Sequence, residues 1–177
     1  MPTIYTVGHS RHTFEQFSSL LASHAVRGVA DVRRYPGSRR YPQFARGELE
    51  AACRRAGLEY RHFESLGGYR DPRPDSVHTA WEEPAFRAYA DHMETAEFAS
   101  ALAALATWAR SQCVAVMCAE ASPLHCHRRV LADALECAGL AVEHIVGPRA
   151  TERHALPPFA RREGPRIIYD GGMLRFG

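Results

Sequence analysis

The sequence predicts an α/β fold: a mostly parallel central sheet with helices on both faces, and a site at the C-terminal ends of the strands. Three observations carry this. Short β-branched runs alternate with amphipathic helical patterns through most of the chain. The run over residues 113–117 is apolar throughout, as a strand covered on both faces must be. Titratable residues gather where the strand runs stop, the edge at which open α/β sheets take ligands.

The elements follow in order. Residues 3–7 make the first strand, ending at Gly8-His9-Ser10. Thr13 then suits a helix N-cap, and Phe14, Phe17, Leu20, Leu21 and Ala25 share one helical face. Residues 28–32 make the second strand, which opens into a basic, Pro-containing loop. A helix over 46–56 turns Leu49, Ala52, Cys53 and Ala56 inward and stops at Gly57. The third strand, 58–63, runs into Glu64-Ser65-Leu66-Gly67-Gly68. Residues 64–83 show no period, and a connection that long is expected to serve as a lid. Two helices, 84–93 and 95–110, precede the strand over 113–117. A helix over 123–137 is expected next, with Ser122 as N-cap and Pro123 at its first position. Residues 141–146 make the fifth strand. We expect residues 1–147 to be one domain. Residues 148–177 form an extension packed on it, with a hairpin pairing 166–169 with 173–176.

Composition narrows the chemistry. All 22 basic residues are arginine, so a Schiff-base lysine and a P-loop lysine are excluded. Any anion met by a cationic side chain is expected to meet a guanidinium fork. A net charge of +2 does not by itself argue for nucleic acid. No apolar run approaches the ~20 residues of a membrane span, and no signal-peptide core opens the chain. The expectation is a cytoplasmic protein with no membrane partner. Five cysteines, an odd count, fit reduced thiols rather than a disulfide framework.

The candidate site is built from strand ends. His9 and Ser10 follow the first strand, Asp31 and Arg33 end the second, and His62 ends the third with Gly67 and Gly68 beyond it. Cys118 and Glu120 follow the fourth. The helix start after Pro123 offers free N–H groups, and His127 and Arg128 in its early turns add positive field, which suits an anion or a thiolate. Arg33, Arg34, Arg39 and Arg40, interleaved with Tyr35 and Tyr41, suit a phosphate and a stacked base. His125, Cys126 and His127 with Cys118 and Glu120 are also metal-ligand types. On a helix, however, consecutive side chains diverge by about 100°, which argues against a closed metal centre there.

Taken together, certain stretches are recognisable. They are Val7-Gly8-His9-Ser10, Asp31-Val32-Arg33 with Pro36 and Ser38-Arg39-Arg40, Leu66-Gly67-Gly68, and Phe86-Arg87-Ala88-Tyr89-Ala90. The most specific is Met117-Cys118-Ala119-Glu120 with Cys126-His127-Arg128. They resemble the bacterial and archaeal domain-of-unknown-function family numbered 488, over about residues 3–146. The resemblance implies a compact α/β domain with its site at these positions, and no particular reaction.

The leading expectation is an enzyme, a cysteine-dependent transferase or hydrolase, with Cys118 at its centre and Glu120 or His9 as general base. Asp31 orients Arg33 or His9. Ser10, Arg33, Arg39, Arg40, His62, Gly67, Gly68, His127 and Arg128 then bind a phosphate-bearing small molecule or nucleic acid. The rivals are a non-catalytic nucleotide or nucleic-acid binding module, and a transition-metal protein using Cys118, Cys126 and His127. The pattern specifies no cofactor.

Overall fold

The computed structural model describes residues 1–171. Its main sheet has six strands: β1 (Thr3–Gly8), β2 (Gly28–Asp31), β3 (Glu59–His62), β4 (Val114–Cys118), β5 (Ala141–Gly147) and β6 (Ala150–Arg153). Their order is β3-β2-β4-β1-β5-β6, and every pairing is parallel except that of β5 with β6. Five helices flank the sheet: α1 (Phe14–Ser23), α2 (Arg46–Arg55), α3 (Pro84–His92), α4 (Ala96–Ser111) and α5 (Arg128–Cys137). The α/β class with a mostly parallel sheet is therefore as the sequence predicts.

Alternate residues of β4 serve two different cores, as the pleat of a fully covered strand requires. Val114 and Val116 pack with residues of α3, α4 and α5. Ala115 and Met117 pack with Phe17 and Leu21 of α1 and Leu49 and Cys53 of α2. Local signals set the helix starts. Thr13 and Gln16 form a reciprocal capping box at α1, and Thr95 accepts from the Phe98 N–H at α4.

The register decides where the site lies. Gly8 stands opposite Cys118, and Asp31 stands opposite both Met117 and His62. The C-terminal ends of β1, β2, β3 and β4 therefore share one edge, with Arg33, His9 and Cys118 close beside it.

Three expectations change. Pro123 opens only a single 3₁₀ turn (Pro123–His125), and α5 begins at Arg128, with no side-chain cap from Ser122 on that turn. Strand β6 adds to the sheet edge; its sequence, Ala-Thr-Glu-Arg, is exposed on both sides and carries no alternation to find. Arg166–Tyr169 (β8) does form a hairpin strand, but it pairs with Ala160–Glu163 (β7). The expected partner, residues 173–176, lies outside the described residues. Within the long 64–83 connection, Trp81 is buried against Phe86, Phe159 and Tyr169, which fixes its second half.

Candidate active site

A cavity of about 860 Å³ opens on this edge. It is bounded by the segments after β1, β2 and β4 and by residues 68–70 of the long connection. His9, Ser10, Arg33, Gly68, Cys118, Glu120 and His127 all line it, so most of the expected site residues do meet.

Its floor holds two sulfurs. Cys118 ends β4 and is half-buried; Cys126 lies in extended backbone just before α5 and is buried. Their Sγ atoms and a ring nitrogen of His127 all lie within 4.8 Å of one another. Cys126 Sγ accepts from the Arg128 backbone N–H at 3.5 Å and from its Nε at 3.4 Å. A thiolate is therefore favoured at Cys126. Its pKa falls well below the usual thiol range, chiefly through a hydrogen bond from Cys118, then through His127 and Arg128, against the opposing effect of burial. Cys118 moves the other way, through its coupling to Cys126 and its own burial.

His127 Nε2 lies 3.1 Å from the Val32 carbonyl. A carbonyl only accepts, so Nε2 carries a hydrogen; Nδ1, 3.7 Å from Cys126 Sγ, favours the thiolate only when it too is protonated and donates to that sulfur. Cys118, Cys126 and His127 can together hold a metal ion, with His127 fixed by a carbonyl in the manner of a metal-ligating histidine. The helical-divergence objection does not apply, because Cys126 and His127 precede α5.

His9 is the second chemically active wall. Its ring stacks on Phe44, with centroids 4.2 Å apart and planes 13° apart. Nδ1 donates to the Ser10 carbonyl at 3.1 Å. Nε2 is buried and has no partner among the described residues. Burial is the main cause that pushes the His9 pKa down to about 4, with Arg33 and Arg128 adding. At neutral pH Nε2 therefore offers an unprotonated lone pair.

Asp31 sits beneath the cavity rather than in it. Its Oδ1 accepts from the Arg33 Nε at 2.9 Å and its Oδ2 from Nη2 at 2.7 Å. Tyr60 OH donates to the same Oδ2 at 2.6 Å. This buried pair holds Arg33, which lines the cavity. A bidentate guanidinium held this way is rigid.

Other expectations are corrected. Arg128 is a brace and not a free substrate ligand: its guanidinium meets Cys126 Sγ, Thr6 Oγ1 and the Glu120 and Ala121 carbonyls. Arg39 and Arg40 are exposed and off the cavity wall, and Arg40 lies over the Tyr41 ring. His62 bonds the Arg33 carbonyl at 2.7 Å and supports that loop from outside. Gly67 serves packing, since a Cβ there would lie 2.6 Å from the Arg34 backbone nitrogen. Glu120 is exposed at the rim.

The cationic wall is instead made of Arg11, Arg33, Arg34 and Arg70. Arg11 and Arg70 were missed because neither sits in a cluster along the chain. Arg70 is folded back onto the Gly67 and Glu64 carbonyls. Tyr69 is 85% exposed at φ 58°, an uncommon backbone state for an aromatic residue, and its ring faces exposed Tyr35 at 6.4 Å. No helix among the described residues is long and apolar enough to cross a membrane.

No curated protein and no solved structure matches the chain. The family model described as "Domain of unknown function DUF488" matches residues 13–135, and the chain belongs to that family.

Proposed function

We propose that the cavity is the active site of a cysteine-dependent transferase or hydrolase acting on a phosphate-bearing ligand of nucleotide or nucleic-acid type. The observation that carries this reading is the seat of Cys126. Its sulfur accepts two N–H groups of Arg128 at the N-terminus of α5, on the floor of a cavity walled by four arginines.

The division of labour follows from the geometry. Cys126 is the nucleophile. Cys118 is the weaker rival because burial and its neighbour Cys126 push its own thiol pKa up. Arg33, locked on Asp31, and Arg34 attract and orient the anion. Neutral His9 accepts a proton through Nε2, from the acceptor hydroxyl or from water in a second step. Exposed Tyr35 and Tyr69 at the mouth suit a planar base.

One experiment tests nucleophile and ligand together. Iodoacetamide at pH 7 is expected to label Cys126 faster than Cys53, Cys113 or Cys137, and faster than cysteine in the unfolded chain. Adenosine monophosphate, and more weakly inorganic phosphate, should slow that labelling. Equal reactivity of all cysteines would refute the nucleophile, and labelling indifferent to both anions would refute the ligand. A stoichiometric transition metal in protein purified without an affinity tag would replace this reading with a metal centre at Cys118, Cys126 and His127.

A further inference from the structure

We propose that Cys118 and Cys126 are a redox couple, exchanging with a low-molecular-weight disulfide to close a reversible Cys118–Cys126 bond on the cavity floor. The proposal deepens the reading above and rests on Cys126 being a nucleophile that small molecules reach through the cavity.

The pair is the one the fold selects. Their sulfurs lie within 4.8 Å of each other and both line the cavity. The other cysteines are committed elsewhere: Cys53 is buried in the α1–α2 core, Cys113 donates to the His24 carbonyl, and Cys137 packs beside α5's core stripe. A disulfide needs its sulfurs about 2 Å apart, so closure asks for less than about 3 Å of travel.

One partner is fixed by the sheet and the other sits in a weakly bonded turn. Cys118 is held at the strand end, where its carbonyl accepts the His9 N–H at 2.9 Å and it pairs with Gly8. Cys126 lies at φ −130°, ψ 148°, between one 3₁₀ turn and the start of α5. The hydrogen bonds of that turn are long, 3.4 Å from His125 N to Ser122 O and 3.3 Å from Cys126 N to Pro123 O. A segment so weakly bonded yields before the sheet does.

The steps balance. The Cys126 thiolate attacks one sulfur of the external disulfide. That S–S bond breaks, one thiolate leaves, and a mixed disulfide remains on Cys126. The Cys118 thiol then gives up its proton and its sulfur attacks Cys126 Sγ, expelling the second thiolate. The protein loses two electrons and the external disulfide gains them; of the two thiolates released, one takes the Cys118 proton and the other a proton from water. Closure also removes the anionic sulfur that Arg128 faces, so the oxidised site has no nucleophile until a thiol reopens it. Glutathione disulfide suits this cavity, since its carboxylates meet the arginine wall.

The test uses the reduced full-length protein and glutathione disulfide at pH 7, followed by intact mass and peptide mapping. Wild type should lose the mass of two hydrogens, yield a peptide linking Cys118 with Cys126, and recover with dithiothreitol. Cys118→Ser should stop with one glutathione on Cys126, and Cys126→Ser should take up none at Cys118 at a comparable rate. Circular dichroism confirms that each variant is folded. Wild type halting at one glutathione on Cys126 would overturn the couple while leaving Cys126 as nucleophile. No adduct at any cysteine would overturn both, and so would a tightly held metal that blocks exchange until chelated.

Discussion

His9 has one nitrogen committed to the Ser10 carbonyl and the other buried without a partner. An orphaned polar atom of this kind costs about 1–3 kcal/mol. His9→Phe keeps a ring on Phe44 and removes the orphan, so we expect it to raise stability by about 1 kcal/mol while abolishing turnover of the phosphate-bearing substrate. Urea unfolding and activity measured on the same preparation check this, and a variant that is stabilised yet fully active would remove His9 from the mechanism. The sign of the pH dependence follows from the same burial. A histidine whose folded pKa is about 4, against 6.5 for the free side chain, contributes its full stability above pH 6.5 and loses it as the pH falls toward 4. His144 behaves alike, for burial and its neighbour His154 bring it to about 4 as well. The urea midpoint should therefore fall between pH 7 and pH 4, and His9→Phe should shed part of that slope, about 1–3 kcal/mol. The sequence shows His9 at a strand end. It does not show that the ring stacks on Phe44, thirty-five positions away.

At the scale of elements, the strands were legible and the turns between them less so. Local pattern marked β1, β2, β4 and β5, because each places β-branched residues at buried positions. The start of α5 was misplaced. Ser122-Pro123 has the composition of a helix entry, but hydrogen bonding to Cys126 Sγ replaces a side-chain cap at Arg128, and sulfur capping leaves no familiar sequence mark. That shift of five residues is what brings Cys126 and His127 to the cavity. Gly67 was expected to face a ligand, and like Gly8 it serves close backbone approach instead. At Gly8 a Cβ would lie 2.0 Å from the Glu120 carbonyl oxygen, and it would meet backbone that cannot swing aside. Gly8→Ala must therefore push the β1 end away from the segment after β4. We expect a loss of about 3 kcal/mol or more in urea unfolding, with iodoacetamide labelling of Cys126 falling toward the unfolded-chain rate. Unchanged stability would mean that these two strand ends are not packed as described.

Across the whole molecule, a buried hydrogen-bond chain ties the cavity floor to the C-terminal hairpin. Arg128 Nη1 donates to Thr6 Oγ1 at 3.4 Å, and Thr6 lies 2.7 Å from His144 Nδ1. His144 Nε2 lies 3.0 Å from His154 Nδ1, and His154 Nε2 lies 2.6 Å from Asp133 Oδ1. Tyr169 OH donates to Asp133 Oδ2 at 2.6 Å. Arginine can only donate and a carboxylate only accepts, so with both histidines neutral every hydrogen between Arg128 and Asp133 points toward Asp133. The chain cannot shuttle protons, since Arg128 has none to give up at any ordinary pH; it braces one buried charge against another through polarised neighbours. The sequence does not single out Asp133, and it marks Tyr169 only as part of an extension. Tyr169→Phe removes one donor from a buried carboxylate and should cost about 1–3 kcal/mol. Asp133→Asn removes the charge that orients the whole series and should cost about 3–5 kcal/mol. It should also slow Cys126 labelling at pH 7 several-fold and move the labelling profile to higher pH, because Arg128 is then held less firmly against the sulfur. A chain ending at Gly147 lacks His154, Tyr169 and the buried Ile167, and should fail to give a cooperative unfolding transition. An Asp133→Asn protein that is folded and labels at Cys126 with the wild-type pH profile would show that the brace and the nucleophile are independent.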